Sequence, residues 1–474
     1  MSSFPEDFEV ETWRLIQLWI AEGFIIMTHG SHKSLEEVGI YYLEELISRN
    51  LLQARKRRFN GEIKTCGIHD LLHEFCLIEA EMIKFMHVER THLPLPEHKH
   101  DVHRFSFQTI SYSYEDWYEL LPLVTRSIYL FSRLDSPFSS LIKPLGKLSI
   151  HYRDPNYLHT YLRRFNLLRV LAIFNEGVRS PSFPLVITKF FHLRYLQIRF
   201  DGDIPESISE LQNLQTLICS GNSSETLPQN IWMMKNLRCI RLREVSYISS
   251  PISESILNLE DFSGLCSASC TKEVFSSISN LKRLIIREPF LIQHYFPDLE
   301  LLDMSSLRKL EELKYSNCRN YCFMDISIKS FVLPTSLKRL TLSMCNYFLW
   351  EDISSTFMML PNLEELKLKR YQTSSDEWIL SDNDKFKRLK LLLLSGSSLK
   401  RWEASSDNFP NLKRLVLQYC YDLQEIPTDF GEIATLESIE LHDCSVTAED
   451  SARKIVQEQE EMGNNPLKLY IHKS

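Results

Sequence analysis

The chain lacks the long apolar runs that mark membrane spans and secretory leaders. No apolar stretch in its 474 residues approaches the roughly 20 residues of a membrane-spanning helix. Its first residues, Met1-Ser-Ser-Phe-Pro-Glu-Asp, hold neither the basic segment nor the apolar core of a signal peptide. We therefore expect no transmembrane segment and a cytoplasmic location, with a peripheral membrane or nuclear pool as alternatives.

An excess of basic charge is also absent. The sequence has 54 Lys and Arg against 62 Asp and Glu, a formal net charge of −8. A protein that binds nucleic acid broadly neutralises phosphates with basic side chains, so this balance argues against nucleic-acid binding. The 11 cysteines are irregularly placed, which favours a reducing compartment over a disulfide framework.

Leucine, in contrast, recurs in a fixed pattern. The segment Leu412-Lys-Arg-Leu-Val-Leu-Gln-Tyr-Cys420 has leucine, two free residues, leucine, one free residue and leucine. Matching triplets start at Leu168, Leu193, Leu214, Leu237, Leu259, Leu281, Leu310, Leu337, Leu363, Leu389, Leu412 and Leu436. This spacing is typical of leucine-rich repeats. Because one repeat buries too little apolar surface to fold alone, we predict an α/β solenoid of stacked repeats, a parallel-strand horseshoe.

Prolines mark the return leg of several repeats. They occur in Phe183-Pro184, Ile204-Pro205, Leu227-Pro228 and Ile426-Pro427. Each pair begins a series of apolar residues about three apart. Because proline blocks extension of a strand and this spacing suits a 3₁₀ turn, we predict short 3₁₀ segments there.

The ninth position of the repeat predicts an inward structural ladder. Its occupants are Asn222, Cys318, Cys345, Cys420 and Cys444. In this fold such side chains turn inward and bond the backbone of the turn. The spacings Cys266/Cys270 and Cys318/Cys322 lack a second His or Cys pair, so we predict no zinc site.

The first ninety residues have a different pattern. Apolar spacing predicts a helix over residues 12–21, and a capping box at Ser34-Leu-Glu-Glu37 begins a second. Strands are expected at 51–54 and 63–68 around an Asn-Gly turn, followed by a helix over 70–86. This is the winged-helix order. A DNA-reading role is disfavoured because residues 1–90 hold 10 basic and 15 acidic side chains.

Four motifs in this region make a family resemblance specific. They are Phe4-Pro-Glu-Asp7, Leu15-Ile-Gln-Leu-Trp-Ile-Ala-Glu-Gly-Phe24, Tyr42-Leu-Glu-Glu-Leu-Ile-Ser-Arg49 and Ile68-His-Asp-Leu-Leu-His73. The series resembles the winged-helix part of plant intracellular immune receptors of the coiled-coil class, which join a nucleotide-binding (NB-ARC) module to leucine-rich repeats. Within that class it is similar to the late-blight-resistance-like proteins of the nightshade family. The resemblance implies a non-enzymatic receptor for a pathogen effector or a guarded host protein.

The nucleotide-binding part of that family is not matched. The sequence contains no Gly-x-x-x-x-Gly-Lys-[Ser/Thr] loop, so we expect no cofactor in this chain, although the full-length family binds ADP or ATP. The family's Met-His-Asp motif, whose histidine senses ADP, maps to Ile68, His69 and Asp70. We expect an N-terminally truncated receptor or a partial gene model. Its parts would be a winged helix at 1–90, a connector with irregular first repeats at 91–160 and the solenoid at 161–474.

Two sets of outward-facing residues are candidates for binding. The first set is basic, and we expect it to dock the acidic winged helix in the autoinhibited state that the resemblance implies. It comprises Arg194, Arg238, Arg241, Arg243, Lys282 and Arg283. The second set is aromatic and is expected to contact the recognised protein, because exposed aromatic side chains are frequent interface anchors. It comprises Tyr347, Trp350, Tyr371, Trp378, Trp402 and Tyr419.

Two other functions compete with this interpretation. A substrate-receptor scaffold of a ubiquitin ligase would also use leucine-rich repeats, but it needs an adaptor-binding helical motif where the four motifs stand. A metal-dependent hydrolase could use His69 and His73, which lie four residues apart beside Glu74. Their order does not match a zinc-protease motif, and no third ligand is evident.

Overall fold

The chain divides into two compact units, Met1–Glu244 and Val245–Ser474. The computed structural model describes residues 1–26, 33–90, 101–108, 121–131, 162–174, 180–221, 225–251, 256–288, 302–317, 331–344, 346–373, 375–461 and 467–473. The first unit contains both the predicted winged helix and the first repeats.

The helix–helix–hairpin–helix order predicted for the winged helix is confirmed. Its helices are α1 (Thr12–Glu22), α2 (Leu35–Ser48) and α3 (Asp70–Met82). Its antiparallel sheet is formed by β1 (Val10–Glu11), β2 (Gln53–Arg57) and β3 (Ile63–Gly67), with β3 in the middle. The third helix is shorter than predicted because its chain turns away after Met82.

Local chemistry explains where the first two helices begin and end. Ser34 accepts a hydrogen bond from the backbone N–H of Glu37, and the Glu37 carboxylate accepts one from the backbone N–H of Ser34. This is the predicted capping box. Helix α1 ends at Gly23, which adopts a left-handed φ of 83°. At Gly39 a Cβ atom would lie 2.6 Å from Ile16 Cγ2, so glycine permits the close approach of α1 and α2.

Seven parallel strands follow in or at the end of the first unit. They are β4 (His87–Glu89), β5 (Arg104–Phe107), β6 (Ser127–Leu130), β7 (Val170–Ile173), β8 (Tyr195–Arg199), β9 (Thr216–Ser220) and β11 (Cys239–Ile248). The short β10 (Glu225–Leu227) precedes β11. Each strand pairs with the next in unbroken parallel register. The leucines of each triplet point inward and are fully buried, as in Leu171 and Leu196.

The second unit continues the same construction. Its main strands are β12 (Asp261–Leu265), β13 (Arg283–Arg287), β15 (Glu312–Ser316), β17 (Arg339–Ser343), β19 (Glu365–Lys369), β22 (Leu391–Ser395), β24 (Arg414–Gln418), β25 (Ser438–His442) and β26 (Lys468–His472). All neighbours in this series pair in parallel. Side strands form the parallel pairs β14 (Leu302–Asp303) with β16 (Phe331–Val332), β18 (Asn346–Phe348) with β20 (Gln372–Thr373), and β21 (Glu377–Ile379) with β23 (Arg401–Glu403).

The return legs carry the predicted 3₁₀ segments. Those that follow the four prolines are Leu185–Lys189, Glu206–Glu210, Gln229–Met233 and Thr428–Glu432. Two more are Ser267–Ser269 and Ser406–Asn408. In the part of the chain that the structure describes, three α-helices replace them elsewhere, α4 (Lys272–Ser277), α5 (Trp350–Phe357) and α6 (Val446–Glu461). Within the described residues, no helix combines the length and the apolar character that crossing a membrane requires.

A regular asparagine contact between repeats was not predicted. An asparagine immediately before several triplet leucines donates its side-chain N–H to a backbone carbonyl of the preceding repeat. These bonds are Asn213 to Phe191 at 2.7 Å, Asn236 to Gln212 at 2.8 Å, Asn362 to Thr335 at 2.9 Å and Asn411 to Lys387 at 2.8 Å. The recurrent Asn-Leu dipeptide was the signal that could have revealed it.

Candidate functional site

Helix α1 covers the outward face of the strands in the first unit. The outward side chains Tyr129, Val170, Ala172 and Tyr195 are at most 3% exposed. They share one apolar cluster with residues of the winged helix, among them Leu15 and Leu18 of α1, Phe4 and Val10. A strand face that would otherwise be solvated is therefore an internal surface of this unit.

A buried carboxylate joins the end of α1 to two strands. Arg104 of β5 donates a hydrogen bond from Nε to Glu22 Oε2 at 2.8 Å, and the Tyr129 hydroxyl donates one to Oε1 at 2.8 Å. The Glu22 side chain is 3% exposed. Burial and the nearby Glu22 charge both raise the pKa of Tyr129, so its hydroxyl remains a donor. Both carboxylate oxygens have a partner, as a buried charge requires.

A second polar chain links both helices to the strands. Thr216 of β9 donates a hydrogen bond from Oγ1 to Gln17 Oε1 at 2.9 Å, and Gln17 Nε2 donates one to Glu36 Oε1 at 3.2 Å. Arg238 completes the chain by donating from Nε to Glu36 Oε1 at 2.8 Å and from Nη2 to Oε2. Burial would raise the pKa of Glu36, but the hydrogen bonds from Arg238 and Gln17 outweigh it and lower that pKa.

The other predicted docking residues of the first unit lie at the same junction. The guanidinium of Arg241 lies 3.3 Å from the ring centroid of Trp13 in α1, a cation–π contact. Arg194 lies beside Gly23, with Nη1 3.7 Å from where a glycine Cβ would stand. There its positive charge interacts favourably with the negative C-terminal end of the α1 dipole. Arg243 is exposed on the same strand as Arg241.

Lys282 and Arg283 belong to the second unit, where carboxylates of that unit hold them. Lys282 forms an ion pair with Glu260 at 3.2 Å. Arg283 pairs with Asp261 and with Glu312, both at 3.3 Å. Burial would lower the pKa of Arg283, but the two carboxylates raise it. These contacts give both residues a role in their own strand face and provide no support for docking.

Charges alternate along one row of that strand face. In register, the first residues of five consecutive strands are Asp261, Arg283, Glu312, Arg339 and Glu365. Neighbouring strands lie about 4.8 Å apart, so each charge stands beside opposite ones. Glu312 is 2% exposed and also pairs with Lys314 at 2.8 Å. Neighbouring charges in this row therefore offset one another, although its three carboxylates outnumber its two arginines.

Four of the six aromatic recognition candidates are core residues, so that prediction was wrong for them. Trp350, Tyr371, Trp378 and Trp402 are at most 2% exposed. The ring of Trp378 stacks between those of Trp350 and Trp402, with centroids 4.6 Å and 5.2 Å away. Its indole N–H donates to the Ser354 hydroxyl at 2.9 Å. Aromatic side chains at equivalent places in consecutive repeats stack on one another, which withdraws them from solvent.

Exposed tyrosines remain on or beside the last strands. Tyr419 is 47% exposed and has a left-handed φ of 54° in the turn after β24. Tyr421 and Tyr470, which were not predicted, are 64% and 44% exposed. The rings of Tyr419 and Tyr421 lie 6.4 Å apart. Tyr347 lies in β18, but its side chain is outside the described residues.

Two cysteines of the predicted ladder can be placed. Cys420 is buried, and its thiol donates to Leu394 O at 3.8 Å and Gln418 O at 3.5 Å. Cys444 is half-buried, and its thiol donates to Leu417 O at 3.4 Å and His442 O at 3.6 Å. Asn222, Cys318 and Cys345 lie outside the described residues.

The Met-His-Asp segment offers no assembled site. His69 and Asp70 are exposed at the beginning of α3. His73 instead points inward, is 2% exposed and contacts Phe4 O through Nε2 at 3.0 Å. The two histidines therefore do not share a ligand position, which argues against the hydrolase alternative. In the described part of the chain, no group of three or more His, Cys, Asp or Glu side chains could hold a metal ion.

Two family models match this chain and agree with this architecture. Residues 4–76 match the family model described as "Disease resistance protein Winged helix domain", and residues 148–463 match "Leucine-rich repeat region". A leucine-rich-repeat protein of Leptospira interrogans has a solved structure that matches 83% of this chain and 98% of its own, with 17% identity and a TM-score of 0.42.

Curated relatives match the whole chain. A putative late blight resistance protein homolog of Solanum demissum is 32% identical over 100% of this chain and 60% of its own length. A late blight resistance protein of the same species is 30% identical over 99% of this chain and 36% of its own length. This chain thus spans between about a third and three fifths of such relatives. It belongs to the family of plant disease resistance proteins with a winged helix and leucine-rich repeats that includes the late blight resistance proteins.

Proposed function

We propose that this chain is the sensing part of a plant immune receptor. In this proposal the repeats of the second unit bind a pathogen effector or a guarded host protein. The repeats of the first unit hold the winged helix in a resting, autoinhibited state. Membership of the disease resistance family supports the general role, and the polar contacts beneath α1 support the resting state.

The observation that carries the resting-state proposal is the burial of charged and amide groups beneath the winged helix. Glu22 and Gln17 bind partners on strands of the repeats, and Glu36 binds Arg238, which immediately precedes β11. Buried ion pairs add little net stability, but they fix orientation and are costly to leave half-made. A contact built this way has one well-defined arrangement and can be opened by removing a single partner.

The proposed recognition surface lies in the second unit. Its exposed aromatic residues are Tyr419, Tyr421 and Tyr470. Tyrosine anchors interfaces well because it buries a large ring at low entropic cost and has a polar end. Such a surface suits a folded protein partner better than a small substrate.

We also propose that the chain acts by binding rather than catalysis, in the cytoplasm. One imidazole and one carboxylate, from His69 and Asp70, do not fit a nucleotide by themselves, because the carboxylate repels phosphate. We therefore assign no ADP or ATP to this chain alone. In the full-length family, the nucleotide would depend on residues of the NB-ARC module.

The resting-state proposal is tested by reversing charge at the junction. The variant Arg238→Glu with Arg241→Glu places acidic side chains against Glu36 and Trp13. We expect faster hydrogen exchange in α1 and α2, measured by mass spectrometry. In leaf tissue, the same changes in the complete receptor should give cell death without a pathogen.

A matched control is Arg287→Glu, which alters an arginine on a strand face of the second unit. It should leave exchange in α1 and α2 at the wild-type rate. If the double variant exchanges as slowly as the wild type, the repeats do not hold the winged helix.

A further inference from the structure

Two cysteines lie side by side in neighbouring repeats of the second unit. Cys420 is the second residue after β24, and Cys444 is the second residue after β25. The residue between strand and cysteine has a left-handed φ in both repeats, 54° at Tyr419 and 48° at Asp443. The two turns therefore have the same local conformation and place the cysteines at equivalent positions.

Backbone pairing between the two repeats continues past the strands as far as these cysteines. The backbone N–H of Ser445 donates to Cys420 O at 3.1 Å, which makes Cys420 and Cys444 direct neighbours in the parallel pattern. Their thiols also point the same way, because they donate to Leu394 O and Leu417 O, which are themselves a register pair. A strand spacing of about 4.8 Å lies within the roughly 4.4–6.8 Å between Cα atoms that a disulfide spans.

The two thiols differ in access and in reactivity. Cys420 is 2% exposed, whereas Cys444 is half-buried. The hydrogen bond between the thiols lowers the pKa of Cys444 to about 7, and together with burial it raises the pKa of Cys420. Because the thiolate is the form that reacts with oxidants, the pair places a reactive, accessible sulfur in contact with a protected one.

From this arrangement we infer that a hydroperoxide oxidises Cys444 and that Cys420 then closes a reversible disulfide with it. The Cys444 thiolate attacks one peroxide oxygen, the O–O bond breaks, and hydroxide leaves and is protonated to water. Cys444 is then a sulfenic acid. The Cys420 sulfur attacks the Cys444 sulfur, the S–O bond breaks, and the departing hydroxide takes the Cys420 proton to form a second water. Two thiols are oxidised to one disulfide, and one peroxide is reduced to two waters.

The disulfide would link the turns after β24 and β25 covalently, beside the exposed Tyr419 and Tyr421. In a reducing compartment such a bond is transient and is returned to two thiols by a dithiol reductant. The inference goes beyond recognition of a protein partner, and it depends only on the arrangement of the two thiols.

Hydrogen peroxide is the probe that tests this modification site. The whole chain, fully reduced and then treated at about pH 7.5, should have Cys444 largely ionised. Digestion without reduction, followed by peptide mass spectrometry, should find the Cys420 and Cys444 peptides joined and lighter by two hydrogen atoms. Dithiothreitol should restore the two separate peptides. A mixture of ¹⁵N-labelled and unlabelled protein should give crosslinked peptides of one label only.

Cys266 and Cys270 provide a matched control pair in the same unit. The Cys270 thiol donates to Cys266 O at 3.4 Å, so these residues are also close together. Burial and the nearby Glu288 charge raise the pKa of Cys270, which withholds its thiolate. The same treatment should give at least about tenfold less disulfide at this pair, because little of its thiol is ionised.

Two serine variants assign the roles of the two sulfurs. Cys420→Ser should form no disulfide at this site, and dimedone should label the Cys444 sulfenic acid that now persists. Cys444→Ser should leave Cys420 unmodified, because its thiol is buried and protonated. Circular dichroism establishes that each variant is folded, and the wild-type measurement itself needs no substitution.

Four outcomes would overturn the inference. The folded wild type could remain reduced at both positions, or Cys444 could pair mainly with another cysteine or with a second chain. Equal disulfide formation at Cys266 and Cys270 would mean that oxidation is general. Oxidation of Cys420 at the wild-type rate in Cys444→Ser would show that Cys444 is not the attacking thiol.

Discussion

Arg238, the residue immediately before β11, donates hydrogen bonds to both carboxylate oxygens of Glu36, which lies in the first turn of α2. Their side chains are 17% and 16% exposed, so the ion pair is largely withdrawn from water. The two residues are 202 positions apart in the chain. This pair therefore ties the winged helix to a repeat far along the sequence, where no local preference could bring them together.

Glu36→Gln should destabilise the first unit by about 1–3 kcal/mol. A charged hydrogen bond of this kind contributes about that much, and the substitution removes the Glu36 charge that faces the Arg238 guanidinium. Denaturant unfolding measures the change. A double-mutant cycle with Arg238→Gln should show that the two substitutions are not additive. Additive effects would mean that the pair does not couple.

An exposed pair supplies the control for this measurement. Glu45 and Arg49 form an ion pair on α2, with side chains 38% and 67% exposed. Glu45→Gln should change the unfolding free energy by less than about 1 kcal/mol, because solvent screens such pairs. If Glu45→Gln lowered the unfolding free energy as much as Glu36→Gln, the effect would come from any charge change on α2 and not from the pair with Arg238.

Acid should loosen the same junction. The hydrogen bonds from Arg238 and Gln17 overcome burial and hold the Glu36 pKa below its ordinary value of 4.5. A carboxyl group with a lowered folded-state pKa stabilises the fold above its unfolded pKa, and this stability is lost as pH falls through the folded value. Unfolding between about pH 6 and 3 should show the loss, and Glu36→Gln should make the dependence shallower. If the unfolding free energies of the wild type and of Glu36→Gln depend on pH in the same way, Glu36 is not the group responsible.

Repetition explains why the sequence predicts so much of this fold. Each leucine triplet predicts a strand whose apolar residues point inward. Strands such as Arg414–Gln418 lie where the triplets predict them. Proline begins the 3₁₀ segments because it cannot extend a strand. The capping box at Ser34 likewise depends on two residues three positions apart. A local motif of this kind can be predicted from the sequence alone.

Long-range pairing explains why the functional surfaces were only partly predicted. Trp378 and Tyr419 look alike as aromatic residues near strand ends, yet one is fully buried and the other 47% exposed. The difference lies in whether neighbouring repeats supply stacking rings. Glu22 was missed as a contact to Arg104 because a charge at a helix end usually faces solvent. Helix α1 is apolar around much of its circumference. This pattern could have predicted that α1 is buried on more than one face.

Trp378→Ala should destabilise the second unit by about 3–5 kcal/mol, the usual cost of removing a buried aromatic side chain. It would leave a cavity between the rings of Trp350 and Trp402 and remove the indole N–H that the Ser354 hydroxyl accepts from. Trp378→Phe should cost less because part of the stack survives. Denaturant unfolding compares the two variants. A stability change below about 1 kcal/mol for the alanine variant would show that the indole stack is not a core element.

Tyr419→Ser with Tyr421→Ser should separate recognition from stability. Both rings are mainly in solvent, so the unfolding free energy should change by less than about 1 kcal/mol in total. Leaf tissue carrying the complete variant receptor should lose its response to the matching pathogen at unchanged protein level. A normal response would show that these tyrosines are not part of the recognition surface.

Cys444 should be the more reactive thiol of the Cys420 and Cys444 pair. The hydrogen bond with Cys420 lowers the pKa of Cys444 to about 7 despite burial, and the same bond together with burial raises the pKa of Cys420. Since the thiolate is the nucleophile, iodoacetamide should alkylate Cys444 with a rate that rises through about pH 7. Peptide mass spectrometry measures both sites. Cys420→Ser keeps a hydroxyl donor and should preserve this profile, whereas Cys420→Ala should move it toward the ordinary value of 9.0. An unshifted profile in the alanine variant would show that Cys420 does not activate its neighbour.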